Sequence, residues 1–366
     1  MPINKNIKKF YLDFWEKSEL LVANLISNIQ EIRNLNKYID KTARLTSEQK
    51  KQIRTFWKPY KKISTRWCKY YSTKNGKFDP RYIPNTLYYT KIDQYFNNRR
   101  LGYGFNDKNY YSKIFAGIPQ PKCVIRKING LIFDEHYHQL TIEDAAKRIF
   151  AEQEVICKPS LETGSGRGIL FLKTDRDQQF IKDFLRNKKY DDYIIQKIIQ
   201  QHNDLAKIHP TSINTIRIAS ILLDDGVHIL SSCLRMGTGN SRIDNVTSGG
   251  ISCGIKEDGC IDKFAYTYYS GEKSDRHPQG MIFDGFKIPS FDKACDLVRK
   301  AHPIIAHFRL VSWDIAIDQN GEALLIEANM RKGGLNLLQF NNGPLFGDLT
   351  KKILDEVFGK RNDKNE

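Results

Sequence analysis

The sequence predicts an α+β fold in which antiparallel sheets carry helices on one side, preceded by a helical N-terminal region. Three observations support this class. Two long β-branched runs, 215–223 and 227–236, are joined only by Asp224-Asp225-Gly226, which indicates a hairpin. Strands and helices do not alternate as a βαβ array would require. Residues 5–72 contain no glycine and are rich in leucine, isoleucine and lysine, which is typical of helices.

The helical start carries an apolar stripe at helical spacing. Its members are Phe10, Phe14, Leu21, Leu25, Ile29 and Ile32. Two interpretations stay open: a helical layer packed on the rest of the chain, or a basic amphipathic surface that docks on a membrane or a partner. The net charge of +16, weighted toward the first hundred residues, favours an anionic partner.

A tyrosine-rich connector follows Lys74-Asn75-Gly76-Lys77 and leads into shorter elements. Asn129-Gly130 predicts a tight hairpin turn within 124–133, and Thr141 with Asp144 predicts a helix start. Further strands are predicted at 154–158, 169–172, 193–199, 215–223, 227–236, 249–255, 313–317 and 324–329, and helices at 107–115, 141–150, 175–188, 291–308 and 347–359. The predicted regions are a helical region at 1–78, a connector at 79–105, a small subdomain at 106–200, a large subdomain at 201–359 and a disordered tail at 360–366.

The composition of the 366 residues, 40% hydrophobic and 27% charged, is typical of a globular protein. No apolar run approaches the ~20 residues of a membrane-spanning helix, and no signal peptide is recognisable. The seven cysteines are scattered without CxxC spacing, which predicts reduced thiols and a cytoplasmic location, with the inner face of the membrane left open. No nucleic-acid-binding pattern accompanies the positive charge, so nucleic acid is not an expected partner. Monomer and dimer both stay open.

A glycine-rich loop follows the strand that ends at Lys158. It reads Gly164-Ser165-Gly166-Arg167-Gly168. Alternate glycines allow backbone conformations closed to other residues, and they let backbone N–H groups approach a phosphate. The loop lacks the Gly-Lys-Ser/Thr of a Walker A motif, and a strand follows it rather than the helix of a dinucleotide fingerprint. We therefore expect phosphate binding by Lys158 and this loop; a flexible hairpin is the alternative.

A second hairpin carries the candidate metal ligands. Val311 to Ile317 and Leu324 to Asn329 flank Asn320-Gly321, a pair that favours a two-residue type I′ turn. In that register residue 319 pairs with 322, Asp314 with Glu327 and Ser312 with Asn329. One face then contains only apolar side chains, namely Trp313, Ile315, Ile317, Leu324, Ile326 and Ala328.

The other face of this hairpin opposes two carboxylates, which repel each other. A Mg²⁺ ion prefers oxygen ligands, stays open to phosphate oxygens and would remove the repulsion. Asp314, Glu327 and Asn329 are therefore the predicted metal ligands, and a solvent face with two acids is the alternative. Arg217 lies in the β-branched run upstream, and further arginines and glycines follow it. Arginine suits phosphoryl or carboxylate recognition because its guanidinium binds two oxygens at once.

In this order the motifs resemble the ATP-grasp superfamily, whose fold has two α+β subdomains that clasp ATP. Asp107-Lys108 with Gly117-Ile118-Pro119-Gln120-Pro121 is similar to the opening signature of such ligases. Residues 193–199 resemble the hinge that contacts adenine, although many relatives carry Glu where Gln196 stands. The cofactor-binding residues that the resemblance implies are Lys108 or its competitor Lys113, Lys158, Gly164, Ser165, Gly166, Gln196, Lys197, Ile198 and Ile199.

Three phrases are most similar to the sugar-transfer-associated ATP-grasp family, which occurs beside genes for bacterial capsule, exopolysaccharide and O-antigen synthesis. The phrases are Ser212 to Arg217, Ser248 to Ile251 and Ile326 to Asn329, and the resemblance covers about 80–358. Glutamate-adding ligases share parts of them, but Thr215 replaces their aspartate. The implied catalytic residues are Arg217, Arg242 and Asn245, and the implied substrate-binding residues are Ser248, Gly249, Gly250 and Arg331.

The resemblance implies an ATP-dependent carboxylate–amine ligase that uses Mg²⁺, or Mn²⁺ in its place, and forms an acylphosphate. The implied partners are an amine and a carboxylate, either small or on a lipid-linked glycan, such as a sugar acid or an amino acid for a surface polysaccharide. Two other functions stay open. One is a kinase that phosphorylates a sugar hydroxyl at the same site, and the other is a nucleotide-binding scaffold without turnover.

Overall fold

A computed structural model describes residues 22, 24–26, 28–161, 166–175, 177–187, 191–331 and 333–359. The chain divides into two compact units, Met1–Tyr95 with Gly343–Glu366, and Phe96–Asn342. The predicted phosphate contacts of Gly164 and Ser165 lie outside the described residues, as does the predicted disordered tail at 360–366. The subdomain boundaries expected from the sequence stay a prediction.

The first unit contains the N-terminal helical region that the sequence predicts. Its helical segments are 28–38, Ser47–Trp57, Thr65–Asn75, Asn85–Leu87, the π-helical turn Tyr88–Ile92, Gly347–Leu349 and Thr350–Val357. Thr46 and Gln49 form a reciprocal capping box at the second of these helices. Buried aromatic rings hold the segments together, with Tyr71 stacked on Tyr82 at 5.2 Å between centroids. Within the described ranges no helix has the length and apolar character of a membrane span.

The second unit begins with short helices and a five-stranded antiparallel sheet. The helices are Arg99–Leu101, Gly102–Phe105, Lys108–Tyr110 and Tyr111–Ile114. The strands are β1 (Cys123–Ile128), β2 (Leu131–Phe133), β3 (Glu154–Pro159), β4 (Leu170–Lys173) and β5 (Tyr193–Lys197), in the order β2-β1-β5-β3-β4. Asn129 and Gly130 have φ of +48° and +81°, so the predicted tight turn is confirmed.

Helices Ile142–Phe150 and Gln178–Arg186 cover one face of this sheet. Alternate strand residues, among them Val155 and Cys157, pack against the helices in an apolar core. The intervening residues, such as Glu154 and Lys158, therefore point to the other face. That face is the one that contributes to the candidate site.

A seven-stranded antiparallel sheet forms the larger part of the unit. Its strands are β6 (Thr215–Leu223), β7 (Gly226–Met236), β8 (Ile251–Ile255), β9 (Ile261–Thr267), β10 (Lys273–Ser274), β11 (Leu310–Ile317) and β12 (Ala323–Asn329), in the order β10-β9-β8-β7-β6-β11-β12. Helical segments Asn203–Ala206, Val246–Ser248, Phe291–Ala301 and His302–Ile305 accompany it. Every strand that the sequence predicts is present, whereas β9 and β10 were not predicted.

The two faces of the large sheet differ in chemistry. Ile216, Leu234 and Trp313 lie on the face that packs against the helix Phe291–Ala301 in the main core. The opposite face is polar and carries a helix that the sequence analysis did not predict, Leu335–Asn342. Asn341 Nδ2 of that helix donates to Ser252 Oγ at 2.8 Å. The pattern missed this helix because both of its sides are buried, which removes the amphipathic signal.

Candidate functional site

The polar faces of the two sheets border a cavity of about 360 Å³, which is in the size range of small-molecule sites. Lysines and acids of the predicted phosphate and metal sites meet there. The charged and amide residues of the lining are Lys108, Lys158, Arg217, Arg235, Asp244, Asn245, Asp314, Glu327 and Asn329. The apolar part includes Pro159, Ile169, Ile243, Ile326 and Leu337, and Tyr268 and Thr247 also line it.

The hairpin of β11 and β12 pairs Asp314 with Glu327 and Ser312 with Asn329, as predicted. Its turn differs from the prediction. Asn320 does not have the positive φ that a type I′ turn requires, and the strands close at 318 and 322 around a three-residue loop. The carboxylate of Asp318 explains the change, because it accepts the N–H groups of Asn320 and Glu322 at 2.9 and 2.8 Å.

A register shift between Asp314 and Ile315 compensates for the longer loop. One extra residue of β12 lies at this bulge, so the pairing beyond it is Ile315 with Leu325. The prediction that Leu324 and Ile326 lie on the core face is therefore wrong: Leu325 and Ala323 occupy that core, and Ile326 lines the cavity. The bulge thus keeps Asp314 opposite Glu327 and adds an apolar wall to the site.

Asp314 is buried and forms ion pairs with two arginines. Arg217 binds it through Nε and through Nη2 at 3.0 Å, and Arg235 donates from Nη1 at 2.8 Å. Burial alone would raise the pKa of Asp314, but the charges and hydrogen bonds of Arg217 and Arg235 lower it below its usual value. The carboxylate is therefore ionised at neutral pH.

Two lysines face the acids from the other side of the cavity. Lys108 Nζ lies 2.7 Å from Glu327 Oε1. Lys158 extends from β3 close to Lys108, and burial together with that neighbouring charge lowers its pKa to about 8. An anion placed between the two lysines would be attracted by both and would relieve their mutual repulsion.

The donor set suits a hard divalent cation. Asp314 and Glu327 are opposed at one level of the hairpin, and Asn329 follows Glu327 on the same face. Asn329 Nδ2 is buried without a hydrogen-bond partner, and a turned amide would present its oxygen at that place. Within the described ranges no cluster gathers three His, Cys, Asp or Glu side chains, so a metal would take two carboxylates and an amide here. Oxygen-only ligands of this kind are those that Mg²⁺ prefers.

The sequence also matches a family model, described as sugar-transfer associated ATP-grasp, over residues 88–354. That match spans well over half of the chain. The chain belongs to the sugar-transfer associated ATP-grasp family. The family and the fold class that the sequence predicts are thereby confirmed, and a search of curated proteins gave no significant match.

Solved structures of several ligases, one of them described as an ATP-grasp ligase, resemble the chain at low identity. The ligase PsnB, in complex with a precursor variant, Mg and ADP, shares 14% identity and a TM-score of 0.43, over 72% of this chain and 61% of PsnB. VanG D-Ala:D-Ser ligase from Enterococcus faecalis shares 15% identity and a TM-score of 0.41, over 69% of this chain and 61% of VanG. An L-amino acid ligase from Bacillus licheniformis shares 13% identity and a TM-score of 0.40, over 69% of this chain and 47% of that ligase. The chain thus spans about half to three fifths of these proteins.

In this ATP-grasp chain, the residues that the sequence predicts to bind the nucleotide lie in three places. Lys108, Lys158 and Gly166 line the cavity. Gln196 lines a second cavity of about 250 Å³, which Lys108 also borders. Lys197 Nζ pairs with Glu152 at 2.6 Å, and Ile198 and Ile199 follow the end of β5.

Lys113, the competing phosphate lysine, lies away from both cavities. Its Nζ sits 3.8 Å above the ring of Tyr137. The last glycine of the loop, Gly168, is required for a steric reason as well as for its backbone conformation. Gly168 has φ +79°, and a Cβ there would approach Pro159 Cγ to 2.8 Å. The geometry thus favours Lys108 over Lys113 and explains why the loop ends in glycine.

The predicted substrate and catalytic residues are only partly brought together. Arg217 and Asn245 line the cavity. Arg242 does not: it binds Glu154 of β3 through two hydrogen bonds of 2.6 and 2.9 Å and lies 3.8 Å from the centre of the Phe171 ring. The predicted catalytic role of Arg242 stays a prediction, and it would require this pair to open.

The segment after Asn245 forms a tight turn in which Val246 and Thr247 line the cavity, whereas Ser248, Gly249 and Gly250 do not. Asn245 Oδ1 accepts the N–H of Thr247 at 2.9 Å, and the N–H groups of Ser248 and Gly250 both donate to the Asn245 carbonyl. The N–H of Gly250, an implied substrate-binding residue, is therefore engaged within the turn. Gly249 has φ +102° and closes it. Arg331 packs its stem against Gly102, as a Cβ on that glycine would meet Arg331 Cδ at 2.9 Å.

Sequence reasoning missed several residues of the cavity. Asp244 was not predicted, although it lies between the predicted residues Arg242 and Asn245, and Thr215 was noted only as the replacement of an aspartate. Arg235 belongs to the arginines downstream of Arg217 that suit phosphoryl or carboxylate recognition, but it was not among the predicted site residues. Tyr268 lies after β9, a strand that was not predicted, so no pattern could place it. A search for acids one or two residues from predicted site arginines would have found Asp244.

Proposed function

We propose that this protein is an ATP-dependent carboxylate–amine ligase that works through an acylphosphate. The observation that supports this most is the meeting of Lys108 and Lys158 with Asp314, Glu327 and Asn329 around one cavity. The lysines would hold ATP phosphates, and Arg217 would stabilise charge at the transferred phosphoryl group. Asp314, Glu327 and Asn329 would hold Mg²⁺, which when bound neutralises phosphate charge as a Lewis acid.

The proposed reaction has two steps. A carboxylate oxygen attacks the γ-phosphorus of ATP, the bond to ADP breaks, and an acylphosphate forms. An amine nitrogen then attacks the acyl carbon, phosphate leaves, and the nitrogen loses a proton to give an amide. Neither step needs a covalent enzyme nucleophile, and the free cysteines among the described residues do not line the cavity. The loop from Ser160 to Ile169 would exclude water from the acylphosphate.

The family description supports a carbohydrate-related substrate. We propose a sugar acid, or an amino acid destined for a surface polysaccharide, as the carboxylate, presented as a small molecule or on a lipid-linked glycan. The cations at the cavity suit an acidic substrate, since Lys158 and Arg217 lie beside the expected phosphoryl position. The amine stays open in this proposal.

The test is an ATP-turnover assay with trapping. Purified protein, ATP and Mg²⁺ are incubated with uronic acids or amino acids, with and without hydroxylamine, which converts an acylphosphate into a hydroxamate. We expect acid-dependent ADP and hydroxamate, both lost in Glu327→Gln and both retained in Lys113→Met. A stable phosphorylated sugar without hydroxamate would identify a kinase instead. Nucleotide binding without any turnover would identify a scaffold.

We further propose that the first unit docks on an anionic membrane surface. Residues 28–95 contain 16 lysines and arginines against 5 aspartates and glutamates. The described helical positions between 22 and 32 carry apolar side chains at helical spacing, with 42–61% of their surface exposed. They are Val22, Leu25, Ile26, Ile29 and Ile32. A basic unit with an exposed apolar stripe has the two features by which interfacial helices bind anionic lipid.

Vesicle sedimentation tests this docking. Wild-type protein should bind vesicles rich in phosphatidylglycerol and lose most binding in high salt or on pure phosphatidylcholine. Ile26→Glu with Ile29→Glu should weaken binding by about tenfold or more. Ile304→Glu in the second unit, at an isoleucine with the same 42% exposure as Ile29, should not. Equal binding by all three proteins would contradict the proposal.

A further inference from the structure

Four charged side chains form an alternating array across the polar face of the large sheet. In order they are Arg217, Asp314, Arg235 and Asp244. Arg235 donates from Nη1 to Asp314 at 2.8 Å and from Nη2 to Asp244 at 2.9 Å, and Arg217 grips Asp314 from the other side. The four side chains are only 5–11% exposed. The array carries no net charge, as a buried group of this size requires.

The two arginines are anchored differently. Arg235 lies between two carboxylates, and Asp244 is itself fixed because Thr215 donates to it from its hydroxyl and from its N–H at 3.2 Å. Among the described residues, the ion pairs of Arg217 involve Asp314 alone, and its other hydrogen bond is a long one of 3.5 Å to the Gly333 carbonyl. Arg217 can therefore turn away by breaking its ion pair with Asp314 alone, whereas Arg235 cannot move without breaking two ion pairs.

We propose that Asp244 is a positioning residue, which fixes Arg235 and through it Asp314, and that Arg217 is the arginine that turns to the transferred phosphoryl group. This inference rests on the proposed function. Asp244 and Arg235 would act through Asp314 and not by touching the nucleotide themselves. Asp244 acts at a distance from the metal ligands through one guanidinium, as outer residues of metal sites commonly do.

The β6–β7 register provides a sharp test. Thr215 lies directly opposite Arg235 on the neighbouring strand, and it contacts Asp244. An aspartate placed at 215 would therefore reach the Arg235 guanidinium from nearly the same direction as Asp244 does. If Asp244 serves only to hold Arg235, Thr215→Asp should restore what Asp244→Asn removes.

The experiment measures Mn²⁺ binding with ADP by electron paramagnetic resonance, and thermal unfolding in EDTA. Asp244→Asn should weaken Mn²⁺–ADP binding by about 10- to 100-fold and lower the unfolding temperature. Thr215→Asp with Asp244→Asn should recover both to within about threefold of wild-type affinity, because the carboxylate partner of Arg235 is restored. Lys113→Met should cause no loss of Mn²⁺–ADP affinity, because the Lys113 ammonium group contacts the Tyr137 ring instead.

The outcomes separate the inference from the proposed function. If wild-type protein binds Mn²⁺–ADP and Asp244→Asn binds it equally well, the positioning role is wrong and the function stands. A double variant as weak as Asp244→Asn, or unfolded like it, would also contradict the role, since the carboxylate would then be needed at 244 for another reason. If wild-type protein does not bind Mn²⁺–ADP, the proposed function fails and the inference fails with it.

Discussion

At the scale of single residues, the acids of the cavity already have cationic partners. Asp314 pairs with two arginines, Glu327 with Lys108, and Asp244 with Arg235. When a nucleotide binds, the charged side chains of the cavity would therefore exchange one ionic partner for another. Lys108 would pass from Glu327 to a phosphate, which leaves Glu327 for a metal ion. Such an exchange keeps charge balanced at each stage and limits the desolvation penalty of the free site.

Lys108 and Lys113 are a matched pair for testing this exchange. Lys108→Met should weaken Mg-ATP binding about 10- to 100-fold, because a charge-assisted hydrogen bond is worth about 1.5–3 kcal/mol. Lys113→Met should leave binding unchanged, since its ammonium group contacts the Tyr137 ring instead. Isothermal titration calorimetry measures both. Equal losses in the two variants would contradict the assignment.

The pH dependence of nucleotide binding should follow Lys158. Its pKa of about 8 in the free protein means that the side chain is half neutral at pH 8. A phosphate beside it favours the charged form and raises that pKa, so binding takes up about half a proton at pH 8. Affinity is then full below about pH 7 and falls as the pH rises through 8. Calorimetry in buffers of different ionisation enthalpy measures the uptake.

Lys158→Arg provides the control for this effect. Arginine stays protonated at any accessible pH, so the uptake of protons and the decline in affinity between pH 7 and 9 should both disappear. If the variant keeps the same proton uptake as wild-type protein, another group is responsible and the role of Lys158 is wrong.

At the scale of elements, the hairpin of β11 and β12 shows how far pattern reasoning reaches. Alternation of apolar and polar residues predicted correctly that Asp314 faces Glu327. The turn type was wrong because Asp318, through two hydrogen bonds to the loop backbone, favours a three-residue loop over the Asn-Gly pair. The bulge opposite Ile315 then restores the register. Neither departure is visible in periodicity, since each depends on a local hydrogen bond or on packing.

Two substitutions in this loop distinguish the observed turn from a type I′ turn. Gly321 has φ +74°, so Gly321→Ala should destabilise the protein by about 1–2 kcal/mol. Asn320→Gly should also destabilise it, by about 0.5 kcal/mol, because it adds only flexibility to the unfolded chain. In a type I′ turn the second substitution would be stabilising or neutral. Denaturant unfolding followed by tryptophan fluorescence measures both, and a gain in stability for Asn320→Gly would contradict the observed loop.

At the scale of the whole molecule, the order of motifs along the chain was enough to predict the fold class and the family. Contacts between distant segments were not predictable in the same way. Arg242 was an implied catalytic residue, but it binds Glu154 on the other sheet, 88 residues earlier in the chain. Asp244 completes a charge array with Arg235 and Asp314 that only the folded sheet brings together. Local motifs indicate which ligand a segment can bind. Tertiary packing decides which arginine side chain lies at that ligand.

The central claim is that the cavity activates a carboxylate with ATP, and the transfer of carboxylate oxygen tests it most directly. An acid that stimulates ATP turnover is labelled with heavy oxygen in its carboxyl group, and the released phosphate is analysed by phosphorus NMR. An acylphosphate route predicts one labelled oxygen in each phosphate, because the attacking oxygen leaves with phosphorus when the amine displaces it. Phosphate without label would show that the carboxylate never attacked ATP and would contradict the ligase mechanism.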